Sequence, residues 1–209
     1  MKKIVAINAS PRIGWNTDIL VDEASQGAKD NGVEIIKYDM VYLEKFTGCV
    51  SCFGCKQEMH QGKCTRRDGL TKVLDDIRTA DGLIIGTPNY FGEVTALFRS
   101  LYERLMFQYL TYNRERFSCN DHSIPVLLIM TSNAPEGSYA SLMEGYKATF
   151  ERFIGPTKVL LVGETQQVHD YSMYNWTMFD GAQRVKRREE VFPSERKKAY
   201  ELGKGLIEG

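Results

Sequence analysis

Short apolar runs alternate with stretches of helical period along most of this chain. Ile4 to Ile7, Val33 to Tyr38, Gly82 to Gly86, Ile124 to Met130 and Lys158 to Gly163 are strand-length and rich in Ile, Val and Leu. Such nearly continuous apolar runs belong to strands buried on both faces. Between them, Leu20, Ala24 and Ala28 recur at helical spacing over Thr17–Asp30, which stops at Asn31-Gly32. Asp68 is placed to cap a helix carrying Leu70, Val73, Leu74 and Ile77 on one face. The next helix is expected to be the longest, with Val94, Leu97, Phe98, Leu101, Leu105 and Tyr109 as its stripe. Leu142, Met143, Tyr146, Phe150 and Phe153 mark another, and Pro193-Ser194 opens the last, with Ala199, Leu202 and Leu206 inward. Five strands separated by helices predict an α/β fold, a doubly wound five-stranded parallel sheet with helices on both faces.

The whole chain, 1–209, reads as one domain. Two segments interrupt the alternation. Residues 47–66 form a cysteine-rich loop. Residues 166–192 carry no clean period and are expected to be a long loop, which at that length is usually functional or disordered.

Composition narrows the function. The 27 basic and 27 acidic side chains cancel to a formal net charge of zero, which gives no broad attraction to nucleic acid or to an acidic membrane surface. The opening apolar run is too short for a signal core, and no stretch reaches the length of a membrane span. A cytoplasmic, reducing location is the expectation. The basic run Arg184 to Arg188 is followed at once by Glu189 and Glu190, so a solvated or subunit-facing segment suits it better than a nucleic-acid patch.

In a doubly wound sheet, ligands bind beyond the C-terminal strand ends, where the winding reverses. Three loops leave those ends with ligand-binding chemistry. Asn8 to Asp18 is rich in small, hydroxyl and amide groups at the start of a helix, a setting for a phosphate; Ser10, Asn16 and Thr17 add donors and Arg12 a cation. The Gly-x-Gly-x-x-Gly pattern of dinucleotide folds is absent there. Gly86 to Thr95 holds Pro88, Asn89, Tyr90, Phe91 and Gly92, a bend whose backbone N–H groups and aromatic surface suit a planar ring. Thr131, Ser132 and Asn133 follow the fourth strand.

The most informative residues lie between the first two loops. Cys49, Cys52, Cys55 and Cys64 crowd into sixteen positions. Without secretory features, such crowding points to a metal, an iron–sulfur cluster or redox chemistry rather than to structural disulfides. The Cys-x-x-Cys-x-x-Cys run with a remote fourth cysteine suits a 4Fe–4S cluster. Zinc, which more often uses two separated knuckles, and a metal-free loop are the alternatives. Cys119 reads as a bystander, and His60, His122 and His169 lack metal-ligand spacing.

Together, Ser10-Pro11-Arg12 with Asn16-Thr17, Thr87-Pro-Asn-Tyr-Phe-Gly92 with Thr95-Ala96, the cysteine run and Val168 to Tyr174 resemble the flavodoxin-like NAD(P)H-dependent FMN reductases. More narrowly, they resemble the iron–sulfur flavoprotein branch of that superfamily, over nearly the whole chain. The gap of eight residues between Cys55 and Cys64 is longer than is usual in that branch. The resemblance implies a flavodoxin-like fold and bound FMN. It also implies an oxidoreductase in which the flavin carries the chemistry and no catalytic side chain is needed. The donor would be NAD(P)H or a reduced electron-carrier protein such as a ferredoxin, and the acceptor a small molecule or a protein. A non-enzymatic electron carrier like flavodoxin is the alternative, and a cysteine-based redox sensor a third. A homo-dimer or homo-tetramer is expected, with the cysteine loop and the aromatic segment at Tyr171, Tyr174 and Trp176 at or near a subunit interface close to FMN.

Overall fold

The computed structural model describes residues 1–207; the last two residues of the expected domain, Glu208 and Gly209, lie outside the described residues. Six strands and six helices follow in the order β1 (Lys3–Asn8), α1 (Asn16–Asp30), β2 (Glu34–Asp39), α2 (Thr71–Ile77), β3 (Gly82–Tyr90), β4 (Glu93–Val94), α3 (Ala96–Tyr109), β5 (Val126–Thr131), α4 (Ala140–Phe153), β6 (Thr157–Val162), α5 (Gly181–Glu190) and α6 (Phe192–Lys204).

Five strands form a parallel sheet in the order β2-β1-β3-β5-β6. The chain winds outward from β1 in one direction, then crosses over it to wind the other way, so the reversal lies between β1 and β3. Side chains alternate between two cores. Val5, Ile7, Leu83, Ile85, Leu128 and Met130 face α2, α3 and α4. Ile4, Ala6, Ile84, Leu127, Ile129 and Leu160 face α1 and α6. The three central strands β1, β3 and β5 are therefore dry on both faces and read as unbroken apolar runs, while the edge strands β2 and β6 stay partly exposed.

Three boundaries depart from the sequence reading. β3 runs on to Tyr90 and turns back through Phe91-Gly92 into the two-residue β4. The expected loop after Gly86 is thus a strand extension and a tight hairpin. Both turn residues are left-handed, with φ of 54° and 82°, as a two-residue hairpin requires. Pro88 hides this strand from sequence, because a ring without an N–H argues against a ladder position. Second, residues 166–192 are not one loop. They contain a single helical turn at Tyr171–Met173 and the ten-residue α5. That helix has no apolar stripe for periodicity to find; Asp180 caps it by accepting from the N–H groups of Ala182 and Gln183. Third, α1, with 15 residues, exceeds α3, with 14.

Candidate functional site

The turn between β1 and α1 is built around a buried polar knot. The Asn8 side-chain amide donates to Asp18 and Asp39, and its oxygen accepts from Ser10 N–H at 3.0 Å. Asp18 also accepts from Gly14 N–H at 2.7 Å and pairs with Lys37 at 2.7 Å. Burial works against the Lys37 charge, but Asp18 and Asp22 outweigh it and raise its pKa. The N-cap position of α1 is Trp15, which supplies no side-chain acceptor. The first N–H groups of α1 therefore remain open to a ligand, and a helix start offers an anion the positive end of its dipole. Arg12 lies over the Trp15 ring, 3.6 Å from its centroid.

Around this helix start lies a cavity of about 260 Å³. Ser10, Arg12, Asn16 and Thr17 line it from the first loop, Pro88, Asn89 and Tyr90 from the end of β3, and Thr131, Ser132 and Asn133 from the end of β5. All three strand-end segments named from sequence thus converge at the winding reversal. Phe91 and Gly92 do not line the cavity; the hairpin turn carries them outward, and the Phe91 side chain stands fully in solvent.

Sequence reasoning missed four lining residues: Trp15, Thr165, Gln166 and Gln167. The last three follow β6, a fourth loop at the same sheet edge, and that position was the available signal. They are tied in closely. Thr165 donates to Ser132 O at 2.9 Å, Gln167 bridges Asn133 and Thr165 O, and Asn16 donates to Gln166 O at 2.8 Å. Two side chains expected as free donors are committed to protein partners. The Asn16 amide clasps Gln166 and Arg188, and the Thr17 hydroxyl shares a 2.7 Å hydrogen bond with Thr131. Their role is to hold α1 against the strand ends, which leaves Ser10, Arg12 and the backbone N–H groups as the donors at this corner.

A second, smaller cavity of about 20 Å³ lies beside α3. Cys49, Cys52, Cys55 and Cys64 all line it, with Arg104 and Gln108 behind them. Cys52 is exposed and Cys55 buried. The Gly54 N–H and the Thr65 side chain lower the Cys52 thiol pKa, while burial pushes that of Cys55 up. The loop can pass this closely because residue 54 has no side chain; a Cβ there would meet Thr65 Oγ1 at 2.1 Å. Cys119 packs outside the cavity, its thiol 3.7 Å from Gln108 O.

Among the described residues, no three His, Cys, Asp or Glu side chains stand in metal-holding geometry. The chemistry of the lining nevertheless fits an anionic, thiolate-bound group. Four thiols face one space, and the buried Nε of Arg104 and Nε2 of Gln108 have no hydrogen-bond partner. Residues 47–52 make no backbone–backbone hydrogen bond among the described residues, and Cys49 N–H reaches only Glu103 at 3.2 Å.

The two cavities are separate. Thr95, which caps α3 and donates to Ala9 O at 2.8 Å, stands at the flank of the first. Arg104 and Gln108 stand nine and thirteen residues further on, about 14–20 Å along the helix axis.

The sequence model of NADPH-dependent FMN reductases matches residues 2–144. An iron–sulfur flavoprotein from Methanocaldococcus jannaschii is 35% identical over 102 residues, covering 49% of this chain and 51% of that protein. One from Archaeoglobus fulgidus is 35% identical over 104 residues, covering 49% and 48%. The chain thus matches about half the length of these curated relatives. Among solved structures, an NAD(P)H:quinone oxidoreductase from Methanothermobacter marburgensis aligns with a TM-score of 0.68 at 14% identity, covering 98% of this chain and 96% of that one. An FMN-dependent NADH-azoreductase from Bacillus anthracis, in complex with FMN, aligns at 0.67 and 14%, covering 99% and 100%. At those identities the likeness is one of fold.

Proposed function

Because the chain belongs to the NADPH-dependent FMN reductase family, we propose that it is an FMN-dependent oxidoreductase. Its donor is a reduced nicotinamide or a reduced carrier protein, and its acceptor a small molecule or another protein. The observation that carries this reading is the convergence of three strand-end segments, with an open helix start among them, on one cavity at the winding reversal.

Ser10, Arg12 and the first N–H groups of α1 bind the phosphate. Asn16 and Thr17 hold that helix start in place through Gln166 and Thr131. The backbone of Pro88, Asn89 and Tyr90 and the polar groups of Thr131, Ser132 and Asn133 orient the rest of the cofactor. Tyr90, 44% exposed at the rim, limits water on one side. FMN, when bound, supplies the chemistry of accepting an electron pair and releasing it singly or together. The protein's part is to position the cofactor and set the polarity around it.

Cys49, Cys52, Cys55 and Cys64 would hold a 4Fe–4S cluster, a relay of single electrons to or from a protein partner. What supports this is their shared cavity, its two unpaired N–H donors and the similarity to proteins named iron–sulfur flavoproteins. All five cysteines are free thiols, which suits a reducing, cytoplasmic setting. No helix among the described residues is long and apolar enough to cross a membrane. The distance between the two cavities along α3 supports pairing the cysteine loop with a flavin in a second copy of the chain. This reading includes a homo-oligomer with that loop at the interface, and light scattering returning a strict monomer would refute that part.

The test is titration of the purified protein with FMN, followed by anaerobic addition of NADH or NADPH with a quinone as acceptor. Saturable FMN binding and nicotinamide-dependent quinone reduction support the reading. Absence of FMN binding sinks it. Tight binding without nicotinamide turnover would favour a passive electron carrier instead.

A further inference from the structure

Two side chains on α3 each carry a buried N–H without a hydrogen-bond partner among the described residues, Arg104 Nε and Gln108 Nε2, and both side chains line the cysteine cavity. Gln108, 3% exposed, accepts a hydrogen bond at 3.1 Å from Cys64 N–H through Oε1. A backbone N–H can only donate, so this bond fixes which end of the amide is oxygen. The Nε2 end, buried and without a partner, lines the cysteine cavity. Four residues earlier and on the same helix face, Arg104 is 2% exposed. Nη1 donates to both Asp68 oxygens, at 2.6 and 2.7 Å, and Nη2 to Arg66 O at 3.0 Å. Nε alone is left over, buried, in a side chain lining the same cavity.

An unpaired buried donor costs on the order of 1–3 kcal/mol, more when charged, so two together at one cavity call for an acceptor. Of the loop's oxygens, Arg66 O accepts from Nη2 and Thr65 lines the cavity, but neither Arg104 Nε nor Gln108 Nε2 bonds an oxygen. The space is lined by sulfur, and a thiolate or sulfide is the acceptor that this position offers. Lys56 adds positive charge nearby, its ammonium donating to Phe107 O and to Leu110 O at 2.6 Å at the end of α3.

We propose that Arg104 and Gln108 are positioning residues that donate N–H hydrogen bonds to the sulfurs of the cysteine-bound cluster and raise its reduction potential. The assignment rests on the reading that Cys49, Cys52, Cys55 and Cys64 hold a cluster. Reduction adds one electron, supplied by a chemical reductant, and breaks no bond. An N–H dipole aimed at sulfur stabilises the more negative form, so its removal makes reduction harder.

The experiment reconstitutes the full chain and its Gln108→Leu, Gln108→Glu and Arg104→Lys variants with ferrous iron and sulfide. Iron and sulfide are assayed, and the midpoint potential is then read by anaerobic titration followed by electron paramagnetic resonance. Gln108→Leu removes both ends of the amide. Gln108→Glu keeps the acceptor for Cys64 N–H and replaces only the donor, with a carboxylate oxygen. Expected are about four iron per chain throughout and, in Gln108→Leu, an equilibrium constant for reduction about tenfold lower, roughly 59 mV. A larger drop in Gln108→Glu and a drop of the same sign in Arg104→Lys are also expected. Clusters retained at unchanged potential in the variants would overturn the assignment alone. So would loss of iron from all three variants while the wild type keeps it, which would make the pair purely structural. A wild-type chain that takes up no iron would overturn the cluster reading itself and this assignment with it.

Discussion

Replacing Gly86 with alanine should loosen FMN binding without touching the cofactor. Gly86 lies in β3 between Asn8 of β1 and Ile129 of β5. A Cβ there would stand 2.4 Å from Val21 Cγ2 and 2.9 Å from Thr17 Cγ2. Carbon atoms pack at about 3.5–4.0 Å, so α1 must back away from the sheet by about an ångström at the turn that carries the phosphate donors. Overpacking of this size costs about 1–3 kcal/mol, and in a chain of this length each kcal/mol lowers Tm by about 2–4 °C. The same shift stretches the 2.7 Å Thr17–Thr131 bond and misaims the open N–H groups of α1. Loss of one charge-assisted hydrogen bond, about 1.5–3 kcal/mol, corresponds to at least a tenfold weaker Kd. FMN titration by flavin fluorescence and a thermal melt measure both effects. The control is Gly145→Ala in α4, where a Cβ meets nothing within 4 Å and relief of the glycine penalty should stabilise the helix by about 0.5–1 kcal/mol. A Gly86→Ala protein that melts like wild type and binds FMN within about twofold of it, an energy difference well under 1 kcal/mol, would refute the close-approach argument.

Arg12→Ala should weaken FMN binding by about 10- to 100-fold through loss of a charge-assisted contact, while riboflavin, which has no phosphate, should bind both proteins alike in the same titration. Cys64→Ser should abolish retention of a four-iron centre in the iron assay, whereas Cys119→Ser should leave it intact. Acid should release the cysteine loop from α3. Burial alone would raise the Asp68 carboxyl pKa, but Arg104 and Leu70 N–H outweigh it and hold it below its usual 3.8. The pair therefore contributes fully above about pH 4 and is lost as pH falls through the depressed folded-state value. Denaturant melts between pH 5 and 2 should show Asp68→Asn with a flatter acid limb than wild type, and parallel limbs would refute the contribution.

The centre of the sheet was legible because β1, β3 and β5 are covered on both sides. Burial on two faces leaves no room for polar alternation, so Val126 to Thr131 and its neighbours declare themselves. α5 was not legible because it buries no residue; its cap at Asp180 and the 2.7 Å Arg184–Glu164 pair help hold it, and neither has a periodic signature. The lining of the candidate cavity was largely readable, since loops after buried strands must meet at one edge. The exceptions have separate causes. Phe91 and Gly92 sit at a hairpin tip, where the left-handed turn faces outward. Thr165 to Gln167 reach the cavity only because β6 ends beside β5, a neighbourhood set by sheet order and not by local sequence. Arg104 and Gln108 were hidden for a further reason: an arginine or glutamine on a helix is ordinarily exposed, and only the packing of the cysteine loop over α3 turns these two inward.

Anaerobic mixing of the FMN-loaded protein with NADPH, and separately with NADH, tests the central claim most directly, with flavin absorbance as the readout. The account predicts about one FMN per chain and bleaching of the flavin by at least one of the two nicotinamides, with colour returning when a quinone is added. A protein that retains no FMN after gel filtration, or whose bound FMN neither nicotinamide bleaches, would contradict it.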